Sequence, residues 1–419
     1  MRALWVVLVC LATPLFAAEW DVPVHPGAIG ETLDRAAQGD TLRLRPGTYT
    51  ETVVLDRPIR LEGRAGTVID GQGQGSVITV TAPGVYVGGI KVVGSGSSHE
   101  TIDSGIKLTE GAVGAEIRDN TLVENLYGID IHGARDALVA GNRIVGRQDR
   151  RVNDRGNGVY VWNAPGAVVE DNDIQFGRDG IFVNSSKKNI FRNNLFRDLR
   201  FAVHYMYANN SEVTGNTSIG NDLGYAVMFS KRVKVADNIS IGDREHGVMM
   251  NYANNSEITG NYVRGTKEKC AFLYNSNKNI FTGNHFEGCG IGIHFTAGSD
   301  GNRIVGNAFI GNRTQVKYVS TRWVEWSEDG SGNFWSDLAA YDLNGDGVSD
   351  VPFRPNDSMD HVLWTQPAAK LLLGSPAVQL VRWSQSAFPA LLPGGVIDSY
   401  PLMQPPELTT NGKEISHDP

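Results

Sequence analysis

Apolar and polar residues alternate in short runs along most of the chain, and each run ends at Gly, Asn or Asp. This pattern predicts short β-strands separated by tight turns. The turns recur regularly, because asparagines follow one another at steps of 22 or 23 residues, with a single step of 30. The series is Asn120, Asn142, Asn172, Asn194, Asn216, Asn238, Asn261, Asn284 and Asn307. Such a period predicts a solenoid, and the corner asparagine favours a parallel β-helix over a leucine-rich repeat, whose leucine spine is absent.

A small residue stands 14 positions before most of these asparagines and serves as position 0 of each turn. These residues are Gly128, Gly158, Gly180, Ala202, Gly224, Gly247 and Cys270, and Gly290 begins the next turn. Positions 1 and 3 are apolar and are predicted to face the interior, whereas positions 2 and 4 face outward, because strand side chains alternate. This register places Met250 in the core and predicts that four other side chains share one outer face. They are His204, Met206, Met228 and Met249, with His246 at the edge.

Imidazole and thioether groups on one face form a soft ligand set, which suits Cu(I). The sequence therefore makes these five residues candidate copper ligands. The alternative is that methionines and aromatic residues at strand spacing form a packing face for a partner or for a C-terminal lid.

The N-terminus predicts export. Residues 1–18 combine an arginine, an apolar run and two closing alanines, the layout of a secretory signal peptide, and the run is too short to span a bilayer. The formal net charge of −8 argues against nucleic acid as a partner. Helical spacing over residues 28–38 predicts a cap on the first turn, which we expect to begin at Asp40.

Two features interrupt the repeat. Residues 147–157 form a charged excursion that is either a ligand-contacting or a solvated loop. Cys270 and Cys289 should be neighbours on stacked turns, which predicts a disulfide in an oxidising compartment. Reduced thiols and metal ligation are the alternatives, and His285 and His294 in the same turns leave a second soft site open.

The repeat becomes irregular after Asn307. Asp342, Asn344, Asp346 and Asp350 then follow at the spacing of the first half of a calcium loop. They predict a Ca²⁺ or Mg²⁺ site, with an ion-free Asx-rich turn as the alternative. Phe353 at the twelfth position excludes a complete EF-hand. Residues 358–419 are predicted to be helical and then Pro-rich, with the helices either capping the solenoid or docking on a membrane partner, and with an extended or disordered end.

The opening segment, residues 40–93, resembles the start of pectin-lyase-like β-helices, and this resemblance implies a right-handed coil. The predicted fold is thus an all-β, right-handed parallel β-helix over residues 19–335, with a short N-terminal cap helix. An acidic loop region follows over residues 336–357, before the helical C-terminal segment.

The sequence GNFWSD at residues 332–337, followed by Tyr341 and the NGDG motif at residues 344–347, resembles the C-terminal signature of the NosD family. The chain departs from that signature at Leu338 and at residues 348–349. The resemblance implies a non-enzymatic accessory protein of the periplasm. It would be held at the inner membrane by an ABC transporter, made of a permease and an ATPase, and would support assembly of the copper–sulfide cluster of nitrous oxide reductase. It also implies a membrane-anchored chaperone that delivers Cu(I), but it supplies no ligand assignment.

Two other functions stay open. A carbohydrate-active enzyme on this fold would need clustered acids on one outer face. Asp130 has no acidic neighbour at the outward positions of adjacent turns, and Asp149, Asp154 and Asp179 are expected in loops or at turn edges. The outward aromatic residues that could stack on sugars are Tyr160, Trp162, Phe182 and Tyr274. The second alternative is a purely structural docking platform for the reductase.

Overall fold

The computed structural model describes residues 17–149, 151–318, 322–356, 358–372, 374–387 and 394–408. Most of the predicted signal peptide, residues 1–16, lies outside the described residues. The chain coils into a right-handed parallel β-helix, which confirms the predicted fold class. Three parallel sheets of 13, 13 and 12 strands run along its length, and each turn adds one strand to each sheet in the order sheet 1, sheet 2, sheet 3.

The strands are short. Sheet 1 contains Glu19–Val22, Thr41–Leu44, Arg60–Glu62, Tyr86–Gly88, Glu116–Arg118, Leu138–Ala140, Val168–Glu170, Ile190–Arg192, Ser211–Thr214, Val233–Ala236, Glu257–Thr259, Ile280–Thr282 and Arg303–Ile304. Sheet 2 contains Gly47–Thr50, Thr67–Asp70, Lys91–Val93, Thr121–Val123, Arg143–Val145, Asp173–Gln175, Leu195–Arg197, Thr217–Ile219, Ile239–Ile241, Tyr262–Arg264, His285–Glu287, Ala308–Ile310 and Phe334–Trp335. Sheet 3 contains Val53–Leu55, Ile78–Val80, Ser104–Leu108, Tyr127–His132, Val159–Trp162, Asp179–Asn184, Phe201–Met206, Leu223–Met228, His246–Asn251, Lys269–Tyr274, Ile291–Phe295 and Val316–Tyr318.

The core is the interior of the coil. Residues at positions 1 and 3, such as Ile129 and Ile131, are fully buried, as the register predicted. The small residue at position 0 has a steric cause. A Cβ on Gly128 would lie 2.4 Å from the carbonyl oxygen of Gly158 on the next turn, and one on Gly224 would lie 2.4 Å from that of Gly247. The turns stack this closely only where position 0 carries little or no side chain.

The corner asparagines form a continuous buried ladder between sheets 1 and 2. The Oδ1 atom of Asn238 accepts hydrogen bonds from both the backbone N and the Nδ2 of Asn216, each 3.0 Å long. Asn216 Nδ2 also donates to the carbonyl of Phe191, at 2.9 Å. The same pattern begins at Asn120 and ends one turn beyond the predicted series, at Asn333. Each amide thus satisfies backbone groups that a tight buried corner would leave unpaired.

The N-terminal end differs from the prediction. The first turn begins at Glu19–Val22, which pairs with Thr41–Leu44, and the expected start at Asp40 is therefore wrong. The cap helix is Ala28–Leu33, shorter than the predicted 28–38, and it buries Ile29 and Leu33 over the open end of the coil. Sequence periodicity missed the first strand because the helix separates it from the regular turns.

The C-terminal end is closed by residues 394–408. Strand Gly395–Ile397 pairs with Trp323–Glu325, and the buried carboxylate of Asp398 accepts hydrogen bonds from the backbone N of Asn333 and from Nε1 of Trp335. This part of the Pro-rich segment, which was expected to be extended or disordered, is thus ordered and includes an extended strand. Residues 409–419 lie outside the described residues.

Helices Ser358–Thr365 and Pro376–Ala387, with a 3₁₀ helix at Pro367–Leu372 between them, lie in the segment predicted to be helical. No helix in the described ranges combines the length and apolar character needed to cross a membrane.

We predict that Asn216→Ala lowers the free energy of unfolding by about 2–4 kcal/mol, because it leaves buried donors of Asn194 without their acceptor. Urea denaturation followed by circular dichroism measures the loss. Asn153→Ala, at an exposed position in the excursion, is the control and should change stability by less than about 0.5 kcal/mol. Equal stability of the two variants would contradict a structural role for the ladder.

Candidate metal-binding face

The outer face of sheet 3 presents side chains in two straight columns, because the turns stack in register. The position 2 column runs through Phe182, His204, Ala226, Met249, Phe272 and His294. The position 4 column runs through Asn184, Met206, Met228, Asn251 and Tyr274. Strands in a sheet lie roughly 4.8 Å apart, which sets the spacing within each column. The columns place chemically different groups at fixed mutual positions.

His204, Met206, Met228 and Met249 surround Ala226 on this face and form what we call the Met/His patch. Met206 and Met228 are direct partners on adjacent strands, and Ala226 lies between His204 and Met249 in the other column. Ala226 is only 1% exposed although it points outward, so larger side chains close over it. The three methionines are partly exposed, whereas His204 is buried. Met250, on the strand of Met249, is fully buried in the core.

His204 is oriented by a buried carboxylate. Its Nδ1 lies 3.3 Å from Oδ2 of Asp179. Arg200 donates to both oxygens of the same carboxylate, from Nε to Oδ1 at 2.8 Å and from Nη2 to Oδ2 at 2.7 Å. Burial alone would raise the pKa of Asp179, but the hydrogen bonds from His204 and Arg200 outweigh it and hold the pKa below its usual value. With the proton on Nδ1, the lone pair lies on Nε2, which is buried and has no hydrogen-bond partner among the described residues. A carboxylate behind the imidazole is the usual support of a metal-binding histidine.

Asp179 was expected in a loop or at a turn edge, and it lies at such an edge, but its carboxylate is not exposed to solvent. It is the first residue of strand Asp179–Asn184 and is fully buried beneath His204. The repeat alone did not reveal it because the strand starts one residue before the position 0 glycine. A charged residue directly before that glycine was the available signal.

His246 lies at the start of the strand that carries Met249 and is also buried. Burial, reinforced by the charge of Lys269, lowers the pKa of its imidazole. Its Nδ1 has no hydrogen-bond partner in the part of the chain that the structure describes. The ring is therefore neutral near pH 7 and retains a nitrogen that can bind a ligand.

His294 takes a different position from the predicted one. It pairs with Phe272 and belongs to the position 2 column, so Gly292 rather than Gly290 is position 0 of that turn. A Cβ on Gly292 would lie 2.6 Å from the carbonyl oxygen of Gln315, the steric mark of position 0. Burial, followed by the charge of Lys317, lowers the pKa of His294 to about 3.

A disulfide joins Cys270 to Cys289 inside the coil, with a Cα–Cα distance of 5.7 Å. His285 lies on sheet 2, where its Nε2 donates to the carbonyl of Pro406, at 2.7 Å. His294 lies on sheet 3. The second soft site left open for these residues is therefore not assembled, because the thiols are bonded and the two histidines belong to different sheets.

The acidic loop brings Asp342, Asn344, Asp346 and Asp350 together at an exposed turn, where backbone amides occupy several of their oxygens. Asp342 accepts from the amides of Gly345 and Gly347, at 2.6 and 2.8 Å. The hydrogen bond from Gly347 is the main cause of a lowered pKa at Asp342. Over the described residues, no cluster of three His, Cys, Asp or Glu side chains has an arrangement suited to an ion. The Ca²⁺ or Mg²⁺ site stays a prediction.

The fold and the face together define a parallel β-helix protein with a candidate soft-metal surface. The model of the family described as periplasmic copper-binding protein (NosD) matches residues 141–340. A protein of Stutzerimonas stutzeri, named a probable ABC transporter binding protein NosD, is 41% identical over 378 residues, which cover 87% of each chain. The protein of the same name from Pseudomonas aeruginosa is 42% identical over 376 residues, 87% of this chain and 88% of that one. The chain belongs to the NosD family.

Solved structures with the same fold include enzymes. The DFA-IIIase of Arthrobacter chlorophenolicus A6 has a TM-score of 0.57 at 14% identity, covering 73% of this chain and 99% of its own. An exopolygalacturonase of Thermotoga maritima has a TM-score of 0.52 at 10% identity, covering 70% and 86%. At this identity the likeness shows the fold alone.

We predict that Asp130→Asn makes stability less dependent on pH. Burial raises the pKa of Asp130 to about 7, well above its value in an unfolded chain. Between about pH 4 and pH 7 the folded state keeps a proton that the unfolded state has released, so this group lowers stability as pH rises. Between those two pH values, the free energy of unfolding of the variant should rise relative to that of the wild type by on the order of a few kcal/mol. Urea midpoints at both pH values measure the gain.

The control is Asp149→Asn, at an exposed position in the excursion, which should follow the wild type at both pH values. A stability difference between Asp130→Asn and the wild type that does not change with pH would contradict the prediction.

Proposed function

We propose that this chain is a periplasmic accessory protein that binds Cu(I) on the Met/His patch and passes it on during assembly of the copper–sulfide centre of nitrous oxide reductase. Membership of a family of periplasmic copper-binding proteins supports the copper role. The observation that carries the location is the unpartnered Nε2 of His204, held in place by Asp179 and flanked by three thioethers.

The ligand chemistry fits Cu(I). This ion prefers soft donors and accepts few of them, and thioether sulfur with imidazole nitrogen is such a set. Methionine has three rotatable side-chain bonds, so the sulfurs of Met206 and Met228 can turn toward one ion from adjacent strands. His204 is fixed, because Asp179 and the neighbouring ring of Phe201, 4.5 Å away between centroids, restrain it. One rigid nitrogen and mobile sulfurs suit an ion that must be both held and released.

The burial pattern also suits transfer. The partly exposed methionines can meet an incoming carrier first, while the buried histidine defines the end of the path. His246 lies on the side of Met249 and extends the ligand set by one neutral imidazole. The thioethers carry no charge, and burial lowers the pKa of His246, so these donors can bind copper near pH 7 without first releasing a proton.

The proposed partners are those of a transporter-linked assembly system: an ABC transporter permease with its ATPase, a membrane-anchored copper chaperone that delivers Cu(I), and the reductase. The names of the two relatives, as ABC transporter binding proteins, support the transporter. In this proposal the protein catalyses no reaction and is associated with the inner membrane through the transporter.

A docking platform is a second candidate, and one observation favours it. Aromatic rings follow one another along the edge of the face with centroid separations of 5.2–5.8 Å, two pairs stacked and one edge to face, and each ring is at least 40% exposed. They are Tyr207, Phe229, Tyr252 and Tyr274. Exposed aromatic surface of this kind is typical of protein interfaces.

We predict that the variant His204→Gln, Met206→Leu, Met228→Leu loses high-affinity Cu(I) binding, with affinity falling at least about a hundredfold, because it removes three soft donors. Glutamine keeps a donor for Asp179, and leucine keeps the volume of methionine, so the fold is preserved. Anaerobic competition titration with a Cu(I) chelator measures the affinity.

The matched control is Met250→Leu, which removes a thioether from the core side of the Met249 strand and should leave copper affinity unchanged. Binding that survives in the triple variant would move the site elsewhere on the chain. Absence of binding in the wild type, with reductase association lost in the triple variant, would support the docking platform instead.

A further inference from the structure

A second polar cluster lies on the outer face of sheet 3, three strands before the strand of His204. Lys107, Asp130 and Tyr160 are successive partners in the position 2 column, and His132 and Trp162 are partners in the position 4 column. Strand spacing places Asp130 roughly 14 Å from the His204 strand. The copper proposal uses none of these side chains.

The burial of Asp130, at the centre of this cluster, lowers the stability of the fold. Its carboxylate is fully buried, and neither oxygen has a hydrogen bond among the described residues. The nearest charged or ionisable atoms are Nζ of Lys107, at 3.4 Å, and Nδ1 of His132, at 3.8 Å, which itself has no hydrogen-bond partner in the described ranges. Farther along, the same column carries Phe182, Ala226 and Met249, so the fold does not require a polar group here. Unsatisfied polar groups retained at a cost in stability are a mark of binding sites.

An aromatic platform adjoins this cluster. Trp162 is 36% exposed and stacks on His132 with 4.3 Å between ring centroids. Tyr160 stacks on Phe182 at 5.5 Å and continues the apolar surface along the column. An exposed ring face beside buried donors and acceptors suits a ligand with one apolar and one hydroxylated side.

The charged excursion meets this cluster from one side. His99 bridges the two, because its Nε2 donates to the carbonyl of Asp154 and its Nδ1 accepts from the hydroxyl of Tyr127. Arg147 donates to Ser97 and to the carbonyl of Gly96, so it ties the excursion to the loop that carries His99. The two loops lie side by side and form a wall next to Tyr127. The ring centroid of Tyr127 is 6.0 Å from that of Tyr160.

The chemistry of the cluster selects the ligand. A metal ion is disfavoured because the ammonium of Lys107 already occupies the cation position beside the carboxylate. A phosphate is disfavoured because the carboxylate would repel it. A sugar ring offers both donors and acceptors to Lys107 and His132 and an apolar face to Trp162. The Nζ of Lys107 donates to the carbonyl of Thr101 at 2.7 Å and lies 3.4 Å from Asp130, and its remaining hydrogens can be donated to an entering hydroxyl.

We infer that Lys107, Asp130, His132 and Trp162 form a carbohydrate-binding site that holds one pyranose ring of a glycan against the wall of the excursion. This site is independent of copper binding. It gives the excursion a role in ligand contact, in place of a solvated loop.

The test is isothermal titration of the mature protein with two β-1,4-linked tetrasaccharides, neutral cellotetraose and the uronate tetramannuronate. Saturable binding of either one is expected, and the preference tells whether Lys107 meets a hydroxyl or a carboxylate. Trp162→Ala and Asp130→Asn should each weaken binding about tenfold or more. Tyr274→Ala removes a similarly exposed ring from the position 4 column near the other end of the face and is the matched control.

Circular dichroism and urea midpoints establish that the variants fold. Trp162→Ala should keep the wild-type Cu(I) affinity, so failure of the copper proposal and failure of this one remain distinguishable. Absence of saturable binding of both tetrasaccharides would overturn the inference, and so would an equal loss in Tyr274→Ala.

Discussion

In-register stacking of successive turns is the constraint on which the rest of the structure depends. The asparagine ladder enforces it from within, because each buried side-chain amide bonds both the backbone and the side chain of its neighbour at every turn from Asn120 to Asn333. The glycines at position 0 permit it, since a Cβ on them would meet a carbonyl oxygen of the next turn. Slippage by one residue would break every rung of the ladder and invert the faces of the strands. The outward side chains therefore occupy fixed positions in straight columns, and the residues of each column determine its chemistry.

This rigidity explains how a surface strand can carry a buried ion pair. Asp179 lies beneath the outer face, and its charge is stabilised only because Arg200 and His204 are delivered at fixed positions by the next turn. A buried pair of this kind contributes little net stability once desolvation is included. Its physical effect is to fix the ring of His204 through Nδ1. The other ring nitrogen, Nε2, is left without a hydrogen-bond partner among the described residues.

Much of the fold was predictable from the sequence because period and small-residue spacing are local, repeated signals. The interior positions, Met250 in the core and the shared face of His204, Met206, Met228 and Met249 follow from them. Three features escaped because they depend on contacts distant in sequence. The first strand joins the coil across the cap helix, and the segment after Gly394 returns to pair with Trp323–Glu325. The role of Asp179 becomes visible only from its hydrogen bond with Arg200 on the next turn. His294 was misplaced because its turn is longer, and position 0 there moves to Gly292.

The outer face of sheet 3 also changes character along its length, and the change has a physical basis. Near Asp130 the columns carry charged groups and flat rings, whereas around Ala226 they carry thioethers and imidazoles. The strand between the two regions carries Phe182 and Asn184 at positions 2 and 4, neither of which is ionisable, and roughly 14 Å of sheet separates Asp130 from the strand of His204. A solenoid can keep two chemically incompatible surfaces on one face in this way, because each turn contributes its outward residues without changing those of its neighbours. Hydroxyl-binding chemistry and thioether chemistry can then coexist on one face, with the apolar ring of Phe182 between Tyr160 on one side and His204 on the other.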